Sequence, residues 1–501
     1  MKTWIDRRLG AVPMYRLVGM TLAALALVAL VLTLTGALPF TAPELLASAA
    51  VAIVATVAAS LLTGMVFRAK VHVESSAITG LLLFFLFQPT LDPTNLGALA
   101  LAGVIAGASK FLLAVRGRHV FNPAALGAAV VALTQLDFAL WWPGSAVMLP
   151  FVAVGALLVL YRTQRLVVGA VFVAVAVTSL VAQAAVGGFD AVQALQTAFT
   201  SYPIVFLAGF MLSEPLTLPP RRWQQLVVAA VVGLLLAWPY SVGSVLFSSP
   251  ELALLVGNAI AFVFGQRRGI RLAFLHKRDL GGGTWELAFA PQRPVRFTPG
   301  QFMELTLPHR SDLRGRRRYF SVSSAPSDGT LTFAVSVPEK ASSFKRALLE
   351  LQPGTEILAT GVGGDFALPT KPSEPVLLVA GGIGITPFAS QLAHDAATGE
   401  GRDIVVVYAT GVAGTPPYGE LLERADARVI LFSPEPPDVL PPRWTWAGPD
   451  RADQESIGRH VPDVARRRVY VSGPPAMVDA LSRATRGLGA RRVRRDAFAG
   501  Y

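Results

Sequence analysis

Two hydrophobic patterns divide the chain near residue 265. Before it, long apolar runs alternate with short polar connectors, and ten stretches can be drawn: 16–38, 43–66, 75–89, 96–115, 121–134, 145–161, 166–187, 203–213, 224–240 and 251–265. Such runs predict membrane-embedded helices, although several fall short of the roughly 20 residues a simple span needs. The short ones predict tilted, broken or re-entrant segments sheltered within a bundle, where freed backbone groups find partners.

After Arg267, Arg268 and Arg271 the runs shorten and alternate: Arg271–Lys277, Thr284–Ala290, Phe302–Leu307, Tyr319–Ser323, Leu331–Val337 and Glu356–Thr360. Gly, Pro and Asp between them predict a small antiparallel barrel. Continuous apolar runs follow at Val376–Ala380, Ile404–Tyr408 and Val469–Val471, as strands buried on both faces require. The predicted architecture is multidomain. A polytopic α-helical membrane domain occupies 1–265, an antiparallel β-barrel 266–370 and an α/β nucleotide-binding domain 371–501.

Composition supports the division. The chain is 53% hydrophobic and 15% charged, with mean hydropathy +0.51, whereas a soluble protein carries about 25% charge. Residues 1–265 hold 13 Lys/Arg and 8 Asp/Glu; the remainder holds 31 and 24. Lys2, Arg7, Arg8 and Arg16 precede the first run, Arg68 and Lys70 follow the second, and Lys110, Arg116 and Arg118 end the fourth. Arg162 and Arg165, then Arg221 and Arg222, fall on the same side, while the opposite connectors carry Glu44, Asp92, Asp137 and Asp190. The positive-inside rule therefore predicts a multi-pass protein of the cytoplasmic (inner) membrane with both termini cytoplasmic. The first apolar run is too long for a cleavable leader and lacks a small-residue cleavage site.

The net charge of +12 comes without a basic stripe interleaved with aromatics, so topology signals and an arginine-rich surface explain it better than nucleic acid does. There is no cysteine. Disulfides, thiolate zinc sites and Cys-ligated iron–sulfur clusters supplied by this chain are excluded, and no metal site is read.

The chemistry concentrates in two runs. The first is Arg318-Tyr319-Phe320-Ser321-Val322-Ser323-Ser324, where alternation sends Arg318 and Phe320 to one face and Tyr319 and Ser321 to the other. It resembles the Arg-x-(Tyr/Phe)-(Ser/Thr) motif of the ferredoxin–NADP reductase superfamily. That resemblance implies FAD, with Arg318 at its pyrophosphate, Phe320 against the isoalloxazine and Ser321 near N5, and it places Tyr319 and Ser323 in the same site. Ser342 and Ser343 open a short helix, where hydroxyls cap the end or present N–H groups to an anion; the resemblance puts the pyrophosphate there. Gly361-Val362-Gly363-Gly364-Asp365-Phe366 is similar to the superfamily loop that closes the flavin domain, with Val362 in place of proline.

The second run is Gly381-Gly382-Ile383-Gly384-Ile385-Thr386-Pro387, a glycine loop between a buried strand and a helix. Gly381, Gly382 and Gly384 let backbone approach a pyrophosphate, and Thr386 and Pro387 start the helix whose N-terminus favours its charge. Ser472-Gly473-Pro474-Pro475 resembles the superfamily's Cys-Gly-Pro-Pro loop beside the nicotinamide; serine excludes a thiol role, and Gly473, Pro474 and Pro475 shape the site. Terminal aromatics and acids line the flavin in this superfamily. That implicates Phe498, as a catalytic partner of Ser321, and Tyr501 within Asp496-Ala497-Phe498-Ala499-Gly500-Tyr501. No basic residue occurs in Ala409–Thr415 after the second nucleotide strand, which predicts NADH over NADPH.

Within the apolar half, Asn122-Pro123 and Glu214-Pro215 interrupt helices at membrane depth, and small residues around Ser76, Gly80 and Gly127 allow close approach of helices or a flat cofactor. The Thr79-Gly80-Leu81-Leu82-Leu83, His119-Val120-Phe121-Asn122-Pro123-Ala124 and Phe210-Met211-Leu212-Ser213-Glu214-Pro215 runs occur in an order that resembles the NqrB/RnfD family. These are the ten-helix membrane subunits of sodium-pumping NADH:quinone reductase and Rnf complexes. Thr79, His119, Asn122 and Glu214 are the candidates there. The family's Ser-Gly-Ala-Thr attachment site for FMN is absent; the comparable region reads Trp141-Trp142-Pro143-Gly144-Ser145-Ala146-Val147. A non-covalent FMN or a quinone in the same space stays open. Two stacked bis-His haems need four histidines, and this half has only His72 and His119.

The expectation is a membrane-bound flavin oxidoreductase that takes hydride from NAD(P)H onto FAD and passes electrons to a flavin or quinone within residues 75–217. The alternative is a membrane-anchored reductase for a separate electron-transfer protein, or a transporter carrying a redox-sensing reductase domain.

Overall fold

The computed structural model describes residues 14–498 apart from 70, 116–117, 239–240, 243–245, 265–268, 311–315, 340, 426 and 450. The described residues divide into two compact units, one within Val12–Arg268 and one within Gly269–Tyr501.

Every apolar stretch of the first unit contains a helix. Among the described residues four are long and apolar enough to cross a membrane: Met14–Leu34, Ala42–Val66, Pro93–Leu112 and Leu166–Val186. A fifth span results if Ala191–Thr200 and Ile204–Leu212, bent by 53°, are counted together. Val73–Leu86, Pro123–Thr134, Leu149–Arg162, Arg222–Ala237 and Pro250–Val263 are apolar but only 12 to 16 residues long. A 16-residue helix rises about 24 Å, less than the roughly 30 Å of a hydrocarbon core. Ten apolar helical segments therefore do not amount to ten simple spans. Two short hairpins, β1 (Ala114–Val115) with β2 (Arg118–His119) and β3 (Ser241–Val242) with β4 (Leu246–Phe247), sit in the connectors.

Three connector acids are helix caps. Thr41 and Glu44 form a reciprocal capping box, Asp92 accepts from the N–H groups of Thr94 and Asn95, and Asp190 accepts from that of Gln193. Each satisfies donors that a helix start leaves open. The small residues are occupied by neighbouring helices: a Cβ on Gly80 would lie 2.6 Å from Ile53 Cα, and one on Gly127 2.4 Å from the Ala102 carbonyl. Of the two expectations, close approach of helices or of a flat cofactor, the first holds at Gly80 and Gly127, where helix backbone fills the space.

Leu207–Leu212 winds as a π-helix, with i→i+5 geometry, and ends at Ser213-Glu214-Pro215. Ser213 Oγ donates to the Gly209 carbonyl at 2.6 Å, and Arg165 Nη1 donates to the Ser213 carbonyl at 2.7 Å.

The second unit holds two six-stranded sheets. β5 (Gly269–Asp279), β6 (Thr284–Pro291), β7 (Phe302–Thr306), β8 (Arg317–Ser321), β9 (Leu331–Ser336) and β10 (Glu356–Thr360) make an antiparallel sheet ordered β8-β7-β10-β5-β6-β9. Its two edges meet at a single bridge, Val322 with Phe333. Leu272, Phe289, Met303 and Phe333 fill its inner face.

β11 (Val376–Gly381), β12 (Ile404–Ala409), β13 (Arg428–Phe432), β14 (Trp444–Gly448), β15 (Arg468–Gly473) and β16 (Val493–Ala497) form a parallel sheet ordered β14-β13-β12-β11-β15-β16. All six β11 residues are buried. Strand order reverses at β11, and crevices at such switch points, beyond the strands' carboxyl ends, are where open α/β sheets bind ligands.

Candidate functional site

The glycine loop lies at that switch point. β11 ends at Gly381, and Gly382, at φ +51°, turns the chain into the helix Thr386–Thr398. A Cβ on Gly382 would meet nothing within 4 Å, whereas one on Gly384 would lie 2.3 Å from the Ser472 carbonyl and 2.7 Å from Gly473 Cα. Gly382 thus keeps the outer surface of the loop bare, and Gly384 lets it touch the Ser472-Gly473-Pro474-Pro475 loop. Pro475 begins the helix to Gly487. Thr386 Oγ1 donates to the Ile383 carbonyl at 3.0 Å, and Pro387 occupies the first turn, where a missing N–H costs nothing.

The flavin-type strand is joined to this loop's helix. Ser390 Oγ donates to the Ser324 carbonyl at 2.6 Å, and Gln391 Nε2 donates to the Phe366 carbonyl at 2.6 Å. Along β8 the alternation holds: Arg318 lies over the Phe344 ring at 5.3 Å, and Phe320 stacks on the same ring at 5.9 Å. Tyr319, on the other face, is 51% exposed, with its ring edge-on to Phe302. Ser321 is buried, and its Oγ has no partner among the described residues. A buried hydroxyl without a hydrogen bond costs on the order of 1–3 kcal/mol, so this one fits a site completed by a ligand with a polar ring edge. Ser472 Oγ is buried in the same condition.

Other expected residues have local duties. Ser323 Oγ shares a hydrogen bond with Thr332 Oγ1 at 2.7 Å. Ser342 caps its helix through the Lys345 N–H at 3.4 Å, and Ser343 Oγ lies 3.3 Å from His309 Nε2. The Phe498 N–H donates to the Gly473 carbonyl at 2.9 Å, which places that residue beside the proline loop. Tyr501 lies outside the described residues. Asp496, quoted in the terminal run but not chosen as a candidate, lies opposite Ser472 in the β15–β16 register. Burial first, and the Asp365 charge second, push its carboxyl up to about 6.

A cleft of about 290 Å³ opens between the two sheets. Gly282, Thr284 and Ser336 line one wall; Gly382, Tyr408 and Thr410 line the other. No basic residue lines it among the described residues.

In the helical unit, three of the four expected residues come together. Glu214 Oε1 lies 3.1 Å from His119 Nε2, Glu214 Oε2 accepts from Asn122 Nδ2 at 2.9 Å, and the Asn122 N–H donates to Asn258 Oδ1 at 2.8 Å. Asn258 was missed because a lone asparagine in an apolar run gives no signal. Thr79 belongs to a different network: its hydroxyl donates to the Ser75 carbonyl at 3.0 Å, which also accepts from Lys110 Nζ at 2.9 Å. Trp141 Nε1 donates to buried Glu251 at 3.0 Å, and Trp142 Nε1 to the Phe84 carbonyl at 2.9 Å.

No protein-family model matches the chain. The chain is 32% identical over 207 residues to the reductase component of propane 2-monooxygenase from Rhodococcus jostii, a match covering 39% of this chain and 53% of that protein. It is 29% identical over 234 residues to the electron transfer component of toluate 1,2-dioxygenase from Pseudomonas putida, covering 45% and 65% respectively. Among solved structures, a cytochrome P450 reductase from Amycolatopsis overlaps 46% of this chain and 70% of its own at 23% identity, with a TM-score of 0.39. The chain spans less than two thirds of the length of the curated relatives it matches. What it shares with the reductase and electron transfer components of oxygenase systems is an oxidoreductase module.

Proposed function

We propose that the protein is a membrane-bound NAD(P)H-dependent FAD oxidoreductase whose second unit oxidises the nucleotide and whose helical unit holds the next electron acceptor. FAD, when bound, supplies a group that accepts two electrons as hydride and gives them up singly. The Arg318 guanidinium would balance its pyrophosphate, Phe320 would border the ring, and Ser321 Oγ would hold a proton toward N5. Gly381, Gly382 and Gly384 would bind the nucleotide pyrophosphate on bare backbone, while Gly473, Pro474, Pro475 and Phe498 shape the nicotinamide end. The observation that carries the reading is the buried, partnerless Ser321 Oγ on a strand tied through Ser324 to the glycine-loop helix. The lack of a basic residue in Ala409–Thr415, and among the described residues lining the cleft, favours NADH.

The finer assignments are an antiparallel flavin barrel over 266–370, an NqrB/RnfD-like helical domain in the cytoplasmic membrane, and FMN or quinone among residues 75–217. The His119–Asn122–Glu214 cluster supports the last, since polar groups inside an apolar bundle are costly and mark functional ground. A second reading is favoured by the relatives, which are components serving separate oxygenases: the acceptor would be another protein.

Acid-released flavin from the full-length protein, separated by HPLC, tests the proposal together with anaerobic titration by NADH and NADPH. FAD and bleaching by NADH are expected, with FMN also present if the helical unit holds a second flavin. Reoxidation by a quinone analogue supports the membrane acceptor; reoxidation only by soluble carriers supports the second reading. Absence of FAD, or no bleaching by either nucleotide, sinks both.

A further inference from the structure

One contact between the cleft walls has no part in the binding roles above. Tyr418 sits between Pro417 and Gly419 at φ +65°, ψ 17°. A tyrosine in the left-handed region persists where its surroundings fix it, and such strain gathers at functional sites. Its ring is buried in the core beneath the parallel sheet with Phe388, Leu422 and Trp444. Its hydroxyl leaves that core and donates to Glu286 Oε1, on β6 of the other sheet, at 2.9 Å. Burial, reinforced by the Glu286 charge, pushes the phenol well above its ordinary pKa, so it stays a donor.

Glu286 is anchored on its own side. Arg278 Nη2 donates to Oε2 at 3.0 Å, and Ser323 Oγ donates to Oε1 at 3.4 Å. Ser323 lies two residues beyond Ser321, so the carboxylate is connected to the flavin-type strand. Pro417, next to Tyr418, and Thr284, two residues before Glu286 and on the same face of β6, both line the cleft. Ser390 to Ser324, Gln391 to Phe366 and Arg494 to Asp365 also join the two modules, as does the Arg278–Glu420 ion pair at 3.9 Å, but none of these involves a cleft-lining residue.

We infer that Tyr418 and Glu286 are positioning residues for hydride transfer, their hydrogen bond fixing the distance between the nucleotide wall and the strand that carries Ser321. The inference rests on the flavin-reductase reading. Hydride transfer tolerates little slack, since a misplacement of about 1 Å costs on the order of a hundredfold in rate. A phenol–carboxylate bond is directional and holds one length, which apolar packing alone does not.

The test uses full-length, FAD-loaded protein. Tyr418→Phe keeps the ring and removes the donor; Glu286→Leu removes the acceptor; Glu286→Gln retains an oxygen for the phenol. Anaerobic flavin reduction at saturating NADH should slow by about tenfold or more in Tyr418→Phe and Glu286→Leu, no further in the double variant, and stay near wild type in Glu286→Gln. Affinity for adenosine monophosphate, which carries only half the dinucleotide, should change less than about twofold, with FAD content and Tm preserved. Wild-type reduction with an unaffected Tyr418→Phe overturns this inference alone. Parallel loss of Tm and adenosine monophosphate affinity also overturns it, by making the pair a support of the nucleotide fold. No reduction of the wild type by NADH or NADPH overturns the reductase reading and this inference with it.

Discussion

His119 Nε2 lies 3.1 Å from Glu214 Oε1, across 95 residues of chain. The two side chains are only 11% and 17% exposed, and the second carboxylate oxygen takes Asn122. Glu214→Ala removes an acceptor from both neighbours and should destabilise the helical unit by about 2–4 kcal/mol. Glu214→Gln, which still offers an oxygen to Asn122, should cost less. Thermal unfolding in detergent checks this; equal midpoints for wild type and both variants would remove the cluster from the stabilising contacts.

Gly384→Ala places a methyl against backbone that cannot yield, 2.3 Å from the Ser472 carbonyl. The glycine loop and proline loop must then part. NADH binding should weaken by at least about tenfold, an energy near 1.4 kcal/mol, while FAD content is kept. Calorimetric titration with NADH and flavin extraction read the two sites separately.

Asp496 should leave a mark on the pH dependence of stability. Its folded carboxyl titrates near 6, above the ordinary value, so the fold binds this proton more tightly than the unfolded chain does. Its contribution is full below the ordinary carboxylate range and is lost as pH rises through about 6. Asp496→Asn should therefore gain in Tm over wild type as pH goes from about 4 to 7. A constant difference across that window would contradict the assignment.

Arg467 is 7% exposed and bonds both oxygens of Asp403, at 3.0 and 2.9 Å, as well as Asp463. Because the acids are partly solvated, Arg467→Met should cost about 1–3 kcal/mol rather than the full penalty of breaking a buried pair. The hydrogen bond from Arg467 holds the Asp463 carboxyl below its ordinary value. That share of stability is present above the ordinary carboxylate range and lost as pH falls through the lowered pKa. Acid unfolding of wild type and variant should converge at low pH, by circular dichroism.

Local patterns in the sequence carried the strands well. Glu356–Thr360 has the predicted bounds, and Thr284–Ala290 and Leu331–Val337 each differ by one residue. Alternation and turn residues report which segments extend, but not that β10 pairs with both β5 and β7, since pairing is chosen by long-range packing. β13 and β14 escaped notice between proline-rich connectors, and the Tyr418–Glu286 bond joins positions 132 residues apart that no motif links. Among the apolar segments, His119, Asn122 and Glu214 stood out because charge and Asn-Pro or Glu-Pro breaks are rare there. Thr79 stood out equally, yet its hydroxyl is spent one turn back on Ser75.

The π-helical turn at Leu207–Leu212 makes the meeting of Glu214 with His119 a matter of counting. Each residue advances an α-helix by about 100°, so rewinding that turn as α would swing everything after it through roughly a quarter-circle or more. Deleting one residue between 207 and 212 would take up the surplus and leave the apolar character of the segment intact. Rewinding this stretch at its full length is thus a rotary adjustment of the carboxylate, to which substitution of one leucine for another apolar residue is blind.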